Sequence, residues 1–508
     1  MPWLSTPPRA STVTTGALPT KAPAGPPTAP SAAPSAIEPA SDPDDDLDAG
    51  LAGTEVVGSR KGVRRPHNPR VQEQEGGRPG LIRGLGPIAT TALVVGNIIG
   101  SGIYVIPASL AEIAGPVSLL AWAVVAVGYA CLAMVYTDLA SAYPVTGGLQ
   151  VYVGRAFGKL WNLETGFLYW TSCVTGNAAF VTAFVGYFQV LVPASSSPLA
   201  SFLIAQAMLW TFTLVNVLGV RVGGAVQTVV TVLKVLPLLL LSVALFAVGR
   251  PENLRPFAPH GYAALFPALS LVAWLFTGAE TACIPAEEVK EARRMLPRAA
   301  LLGLGLVTAL YLLVASSLTL GMPASAIAGS ASPLALAGER AMGPTGRLLV
   351  TLGALASTMG ILNGCLLITG RLPFAAARDG LLPAAFGKLH PRFRTPVVAL
   401  VASTAVSSLL VLLYFNRTLL QAYNAIALAS TAAALLPLAG ACLASFVLRR
   451  REPDAFSPAQ HRRGGWVAAA GLLVLIPMIG GTGATVLGLT LLVMLLPLPF
   501  FFLRRRPT

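Results

Sequence analysis

The sequence predicts an all-α membrane protein with twelve transmembrane helices, and three observations support this. Of the 508 residues, 54% are hydrophobic and only 11% are charged, whereas a soluble protein carries about a quarter charged residues. The apolar residues lie in long runs, each close to the ~20 residues that a membrane-spanning helix needs. Lysines and arginines collect in alternate connections between these runs, as in other membrane proteins. A single soluble domain is therefore excluded.

Residues 1–80 differ in composition from the rest of the chain. They contain 14 of the 41 prolines, an acidic run DPDDDLD that begins at Asp42, and a basic run from Arg60 to Arg70. No stretch in this region is apolar enough to bury a core, which predicts a disordered tail. A signal peptide is not expected, because no apolar segment follows a basic start.

The remaining chain is predicted to form a transmembrane domain at 81–503, followed by a short basic end at 504–508. The predicted spans are 85–107, 115–137, 165–190, 198–218, 224–248, 263–285, 299–320, 345–370, 396–415, 420–447, 466–480 and 484–503. The tail, the even-numbered connections and the C-terminus carry 29 lysines and arginines, against five on the opposite side. This asymmetry predicts a multi-pass protein of the cell membrane with both termini in the cytoplasm.

Two of the spans contain segments that are poor material for a continuous helix. The first span reads GNIIGSGIYVIP from Gly96 to Pro107, with three glycines and a serine within seven residues. Each glycine costs about 1 kcal/mol relative to alanine inside a helix. The sixth span has a similar weak point in WLFTGAETACIP, from Trp274 to Pro285. The first and sixth helices are therefore predicted to be discontinuous.

Each predicted break lies in the first helix of a set of five spans, the first set being spans one to five and the second spans six to ten. Interrupted helices at corresponding places in two halves are typical of secondary transporters built from inverted repeats. Glycines that only allow close helix packing would produce a similar pattern in one segment. Because both segments occur at matching positions, the pattern favours two inverted five-helix repeats.

Unwound backbone within a span has a defined binding chemistry. Free N–H groups at the start of a half-helix, here those of Ser101 and Gly102, suit a carboxylate. Free carbonyl oxygens near Ile98, Trp274 and Thr277 suit an ammonium group. A site with both ends is adapted to an α-amino acid.

Four segments together carry a resemblance to a known family. They are GNIIGSGIYVIP, YWTSCVTGN from Tyr169, WLFTGAE from Trp274 and ARDGLLP from Ala377. They resemble the amino acid–polyamine–organocation superfamily, and within it the basic amino acid/polyamine antiporter family with its bacterial arginine/agmatine antiporters. The resemblance implies a secondary active transporter that exchanges a basic amino acid, such as arginine, for its amine by alternating access. It also implies a homodimer.

The resemblance further implies roles for single residues. The residues at positions that bind substrate in the family are Ile98, Ser101, Gly102, Ser172, Cys173, Asn177, Trp274, Thr277, Cys365 and Ser430, although not every one is the family's residue type. Within this set, Trp274 is expected to cover the substrate and Asn177 to line its side-chain end. Tyr169 and Glu280 match residues of the proximal gate.

Three positions depart from the antiporter pattern. A gating tryptophan of the eighth helix is replaced by Cys365, and a tyrosine of the tenth helix by Leu438. Loss of the indole removes a cation–π contact worth about 0.5–2 kcal/mol, which counts against a strictly cationic substrate. Lys234 stands where the antiporters have a small apolar residue.

Lys234 is predicted to lie near the middle of its span. At 1.5 Å per residue it is about 20 Å from either helix end, too far for the ammonium group to reach bulk water. Proton-coupled relatives carry a fifth-helix lysine where sodium-coupled relatives bind Na⁺, so the resemblance implies proton coupling through Lys234. The alternative is a fixed cation that is bonded to carbonyls of the broken first helix.

Two carboxylates have separate expected roles. Glu280 follows the sixth-span break, and carboxylates inside a membrane are usually functional, so proton sensing or gating is expected. A structural hydrogen bond to the broken helix is the alternative for Glu280. Asp138 is expected to end the second span at the cytoplasmic face in an architectural role.

Other functional classes are disfavoured. No histidine and no pair of carboxylates lies in a predicted span, so an intramembrane enzyme is not expected. The five cysteines and four histidines lack metal-binding spacing, so neither a metal nor a cofactor is expected. The basic residues set topology rather than bind nucleic acid. Proton-coupled uptake of a broader range of amino acids is the alternative to antiport, and a non-transporting amino acid receptor is a distant one.

Overall fold

The computed structural model describes residues 87–143, 148–219, 224–280, 292–378, 380–413 and 417–503. The predicted tail at 1–80 and the basic end at 504–508 lie outside these ranges. Within them, the regular structure is helical and contains no β-strand.

Sixteen α-helices are present in the described ranges. They are α1 (Pro87–Ile98), α2 (Gly102–Ile113), α3 (Ser118–Ala142), α4 (Leu149–Phe157), α5 (Lys159–Leu191), α6 (Pro198–Val217), α7 (Gly224–Ala247), α8 (Leu265–Phe276), α9 (Ala292–Gly321), α10 (Ala324–Ile327), α11 (Pro333–Arg378), α12 (Val397–Leu413), α13 (Leu419–Arg451), α14 (Pro458–Gly480), α15 (Ala484–Val493) and α16 (Leu498–Leu503). Helix α11 consists of two parts that meet at Gly343, where φ is 69°.

Eight of the described helical segments are long and apolar enough to cross a membrane. They include α3, α5, α6, α7, α9, α11, α13 and α14, and shorter apolar helices include α2, α8, α12 and α15. Each of the twelve intervals predicted from the sequence contains a helix. The sequence did not predict the short α4, which has a polar face and lies between α3 and α5.

Helix α5 lies at the centre of the bundle and packs against α11 and α13. Inside a membrane, helices associate through close packing and interhelical hydrogen bonds, because lipid removes the hydrophobic driving force between them. Such bonds join α5 to α12, where Trp170 Nε1 donates to Ser403 Oγ at 2.9 Å. Another joins α6 to α12, where the hydroxyls of Thr213 and Thr404 are 2.8 Å apart.

Both predicted helix breaks are present, and they meet. Helix α1 ends at Ile98 and α2 begins at Gly102. Helix α8 ends before Thr277, which is extended, and Gly278 follows with φ of +104°. A Cβ atom at Gly278 would lie 2.8 Å from the carbonyl oxygen of Asn97. Only glycine allows both this positive φ and this close approach, so Gly278 brings the end of α8 against the end of α1.

A buried ionic cluster joins α3, α13 and α14 at one end of the bundle. Asp138 is 1% exposed, and its carboxylate accepts from Arg449 Nη2 at 3.0 Å and Arg463 Nη2 at 2.9 Å. Gln460 Nε2 also donates to it, at 3.1 Å. The three donors belong to two helices, so Asp138 ties the end of α3 to both.

A second, more exposed ion pair lies between α4 and the end of α13. Arg155 donates two hydrogen bonds to the Glu452 carboxylate, at 3.0 and 2.7 Å. These bonds hold the pKa of Glu452 below its usual range. Partial burial, together with the hydrogen bond to Glu452, raises the pKa of Tyr143 to about 12.

Candidate functional site

The first helix break is tied to the second across the centre of the bundle by a tyrosine. The hydroxyls of Ser101 and Tyr423 are 2.9 Å apart. Trp274 Nε1 donates to the same Tyr423 hydroxyl, also at 2.9 Å. The Trp274 ring stacks on Phe180 with a centroid distance of 5.7 Å. One hydroxyl of α13 therefore joins the residue predicted to bind a carboxylate to the residue predicted to cover the substrate.

Gly102 makes this arrangement sterically feasible. A Cβ atom at Gly102 would lie 2.8 Å from Leu275 Cγ and 3.4 Å from Trp274 Cδ1. A real Cβ atom at the shorter distance would force Leu275 to move. The start of α2 and the end of α8 are thus in direct backbone-to-side-chain contact, and any residue larger than glycine at position 102 would separate them.

Several carbonyls that were expected to be free at the breaks have partners within the protein. Tyr311 Oη donates to Ile98 O at 3.0 Å and to Leu275 O at 3.3 Å. Thr277 Oγ1 donates to Trp274 O at 2.6 Å. The carbonyls of Ile98 and Trp274 therefore each accept one hydroxyl donor within the protein, and their predicted contact with an ammonium group stays a prediction. A carbonyl oxygen has two lone pairs, so each can still accept a second donor.

Lys234 occupies the first helix break from the side of α7. Its Nζ donates to Gly96 O at 2.6 Å and to Ile99 O at 2.8 Å. The side chain is 1% exposed. Both acceptors are carbonyls that the interruption of α1 leaves without a helical donor. The carbonyl contacts of the fixed-cation alternative are therefore present, and proton coupling through Lys234 stays a prediction.

The groups around Lys234 in the described part of the chain are neutral. Tyr104 Oη donates to the Lys234 backbone carbonyl at 2.7 Å, and Ser357 Oγ donates to Gly100 O at 3.1 Å. None of the ion pairs formed by the described residues includes Lys234. The ammonium group is thus held by backbone dipoles rather than by a carboxylate.

Polar side chains of α5 and α13 line the predicted side-chain end of the site. Ser430 Oγ donates to Ser172 O at 2.7 Å, and the two serine hydroxyls are 3.1 Å apart. Asn177 is fully buried, and among the described residues its amide nitrogen and oxygen have no hydrogen-bond partner. A buried amide without partners is costly, so Asn177 is available to a bound polar group.

Glu280 lies directly after the second break. Its two carboxylate oxygens each accept from the Gly278 N–H at 3.1 Å. The hydroxyl of Tyr169 lies close enough to this carboxylate for the two groups to interact. The bond from the Gly278 N–H is the structural hydrogen bond to the broken helix that is the alternative expectation for Glu280, and the gate role stays a prediction.

Sequence reasoning missed two tyrosines that hold the site together. Tyr423 joins Ser101 to Trp274, and Tyr311 donates to both broken helices. Neither residue belongs to a recognised segment. Each is a hydroxyl-bearing ring in a predicted span, and in a membrane such a group needs a partner. The sequence therefore indicates that both tyrosines need a hydrogen-bond partner, but it does not show which residues those partners are.

Comparison with known proteins identifies the family. A family model described as amino acid permease matches residues 85–504, more than four fifths of the chain. The chain belongs to the amino acid permease family. The branched-chain amino acid permease BcaP of Bacillus subtilis (strain 168) is 29% identical over 394 residues, which are 74% of this chain and 83% of that protein. The cadaverine/lysine antiporter of Escherichia coli (strain K12) is 29% identical over 336 residues, 65% of this chain and 74% of the antiporter.

Family membership confirms the broader predictions. The chain is a member of the amino acid–polyamine–organocation superfamily and a helical, multi-pass membrane protein of amino acid transport. Family and relatives are transporters rather than enzymes. One relative is named for branched-chain amino acids and the other for an amine and a basic amino acid, so the permease family includes both kinds of substrate.

Proposed function

We propose that this permease is a secondary active transporter that moves an amino acid across the cell membrane by alternating access. The contact between two helix breaks supports this most directly, because Gly278 lies against the Asn97 carbonyl and Gly102 against Leu275 and Trp274. Broken helices of this kind bind the substrate near the bilayer midplane in secondary transporters.

The proposed architecture has twelve transmembrane helices. Helices α1 and α2 form the broken first span, and α8 begins the broken sixth, so that two inverted five-helix repeats are followed by two further spans. The charge asymmetry supports a cytoplasmic position for both termini. On this topology, residues 1–80 form a cytoplasmic tail, and 504–508 a cytoplasmic end. A homodimer is part of the proposal by resemblance alone.

The α-amino acid end of the substrate is proposed to bind at the first break. The N–H groups of Ser101 and Gly102 begin α2, where a carboxylate is favoured by the helix dipole and by unpaired donors. The Ser101 hydroxyl also contacts Tyr423, so an arriving carboxylate competes with Tyr423 for it. The second lone pairs of the carbonyls of Ile98 and Trp274, together with Thr277, would accept the ammonium group.

The rest of the substrate is proposed to lie between Trp274 and α5. Trp274 would cover its aliphatic part, since the ring is buried and fixed by Tyr423 and Phe180. The side-chain end would meet the unpaired Asn177 amide and the small residues Ser172, Cys173, Cys365 and Ser430. Tyr169 and Glu280 would form the gate on the cytoplasmic side.

Proton coupling through Lys234 is the transport mode that we favour. A buried lysine readily changes its proton affinity, and Lys234 is held by the Gly96 and Ile99 carbonyls without a carboxylate among the described residues. A neutral amine keeps two N–H donors but loses the charge that the Gly96 and Ile99 carbonyls stabilise, so loss of the proton would weaken both contacts at the first break. This weakening would link protonation of Lys234 to the shape of the site, as proton-coupled uptake needs.

Exchange of a basic amino acid such as arginine for its amine is the second candidate. It is supported by the Glu280 carboxylate with Tyr169 near the side-chain end, and by the relative named as a cadaverine/lysine antiporter. A cationic side chain would be attracted to Glu280. Cys365 and Leu438 weigh against it, since neither offers an aromatic face to a cation.

Uptake into proteoliposomes tests the proposal and separates the two modes. The protein would be reconstituted and given radiolabelled arginine, lysine or leucine, with and without an inward proton gradient, and with and without amine inside. Gradient-driven accumulation of a neutral amino acid supports proton coupling, and uptake that requires internal amine supports antiport. Absence of uptake for every amino acid tested would contradict transport.

Gly102→Ala tests the binding site itself. The added methyl group would clash with Leu275, and uptake should be lost while the protein remains folded. Gly305→Ala is the matched control, because no atom lies within 4 Å of the added carbon. Equal uptake by the two variants would show that the helix break is not part of the substrate-binding site.

A further inference from the structure

Two cysteines face each other across the contact between α5 and α11. Cys365 Sγ donates to the carbonyl oxygen of Cys173 at 3.5 Å, so the Cys365 thiol lies directly against Cys173. The residues are 192 positions apart in the sequence. Both cysteines are free, with Cys173 buried and Cys365 half-buried.

The thiol pair lies beside the proposed substrate passage. Gly176 is three residues after Cys173, on the same face of α5, and a Cβ atom at Gly176 would lie 3.2 Å from Trp274 Cη2. The pair is thus about one helical turn from the ring that covers the substrate. On its other side, Tyr169 lies four residues before Cys173, about one turn along α5.

Two convergent thiols bind a class of ligand that a single thiol holds only weakly. A hydrated trivalent organoarsenical, RAs(OH)₂, reacts with two thiols to give RAs(SR)₂ and two molecules of water. Two S–H and two As–O bonds break, two As–S bonds and two O–H bonds form, and neither arsenic nor sulfur is oxidised or reduced. The reaction needs both sulfurs within reach of one arsenic atom.

We propose that Cys173 and Cys365 form a two-thiol site that captures trivalent arsenicals and thereby blocks the passage. An arsenic atom bonded to both sulfurs would bridge α5 and α11 one turn from Trp274. Its organic group would fill the space for the substrate's side chain. The block rests on the transport function proposed above, whereas capture of the arsenical does not.

A second pair of cysteines provides the control. Cys131 on α3 and Cys442 on α13 both border Gly471, where a Cβ atom would lie 3.4 Å from Cys442 Sγ and 3.9 Å from Cys131 Cβ. These thiols also interact, but they belong to the contact of α3, α13 and α14 and line none of the proposed site. An arsenical bound there should leave transport intact.

The test treats the full chain in proteoliposomes with phenylarsine oxide. Cys283 lies outside the described residues, and it is changed to serine in every protein tested. Uptake should be lost on treatment, restored by 2,3-dimercaptopropanol and not restored by an excess of a monothiol. Cys173→Ser and Cys365→Ser should each keep the uptake that the same variant shows untreated. The double variant Cys131→Ser/Cys442→Ser should remain sensitive.

Intact-mass measurement detects binding of the arsenical independently of its effect on transport. In the Cys131→Ser/Cys442→Ser variant, one phenylarsenic group should add while two free thiols disappear, and removal of either remaining cysteine should abolish the bridged adduct. Absence of this adduct, or continued sensitivity of the two single variants, would overturn the proposed site. An adduct without any measurable uptake would instead count against the transport function.

Discussion

Lys234 and Asp138 are equally buried charges that the protein stabilises in different ways. Each is 1% exposed. The Lys234 ammonium donates to the neutral carbonyls of Gly96 and Ile99, whereas the Asp138 carboxylate accepts from two arginines and a glutamine. One charge is therefore compensated by dipoles and the other by opposite charges.

This difference separates a charge without a charged partner from one that is tied to a buried arginine. Loss of the proton from Lys234 leaves no counter-charge unpaired among the described residues, so the neutral form is accessible at moderate cost. Removal of the Asp138 charge by substitution would leave Arg449 buried without its partner, which is strongly unfavourable. The contrast supports coupling at Lys234 and an architectural role at Asp138.

The largest expected effect is that of Asp138→Asn. It removes the counter-charge of Arg449, whose side chain is 6% exposed, and breaking such a buried pair costs about 3–5 kcal/mol. The variant should lose most of its folded population in thermal unfolding followed by size-exclusion chromatography.

The control for this prediction is Arg463→Gln. The Arg463 side chain is 46% exposed, so its pair with Asp138 contributes only about 0–1 kcal/mol. If Asp138→Asn and Arg463→Gln unfold at the same temperature, the cluster does not hold the three helices together.

An intermediate effect is expected from Tyr311→Phe. The change removes the hydroxyl that donates to Ile98 O and Leu275 O, and an unsatisfied buried carbonyl costs about 1–3 kcal/mol. Because these carbonyls belong to the two breaks, substrate affinity in uptake assays should fall together with stability.

Ser270→Ala is the control for Tyr311→Phe. Ser270 Oγ donates to Met478 O at 2.5 Å, in the contact of α8 with α14 and about two turns before the break. This variant should lower stability and leave substrate affinity unchanged. A similar loss of affinity in both variants would mean that Tyr311 acts only through general stability.

The smallest expected effect is that of Glu452→Gln, which tests a charge pair at the surface. Arg155 holds the pKa of Glu452 below its usual range, so the carboxylate stabilises the fold above the unfolded-state pKa of about 4.3. This contribution is lost as the pH falls through the lower pKa of the folded state. Because both side chains are more than a third exposed, it amounts to about 0–1 kcal/mol at neutral pH.

The measurement for Glu452→Gln is the unfolding temperature as a function of pH. The difference from the wild-type protein should be small at pH 7 and should vanish below about pH 4. A difference that grows on acidification would contradict the assigned sign.

Local sequence patterns predicted the helices and their interruptions. Long apolar runs marked the helical intervals, and the glycines and small residues after Gly96 and Trp274 marked the breaks. These features depend on a few neighbouring residues, so they are visible in one sequence. The depth of Lys234 within its run also indicated that it needed partners at the first break.

Long-range pairing could not be predicted in the same way. Arg449 is 311 residues from Asp138, and Tyr423 is 322 residues from Ser101. No local pattern gives the relative rotation of two helices, on which these contacts depend. For the same reason, the sequence did not show that the Ile98 carbonyl would be occupied by Tyr311.

The response of uptake to a proton gradient in Lys234 variants tests the central claim most directly. Wild-type proteoliposomes should accumulate substrate when the outside is acidified. Lys234→Gln, which retains donors for the Gly96 and Ile99 carbonyls but carries no titratable proton, should show the same uptake with and without the gradient. Lys234→Arg, which stays charged, should also lose the response. Both variants must elute as folded protein and bind substrate. Gradient-driven accumulation that survives in folded Lys234→Gln would contradict coupling through Lys234.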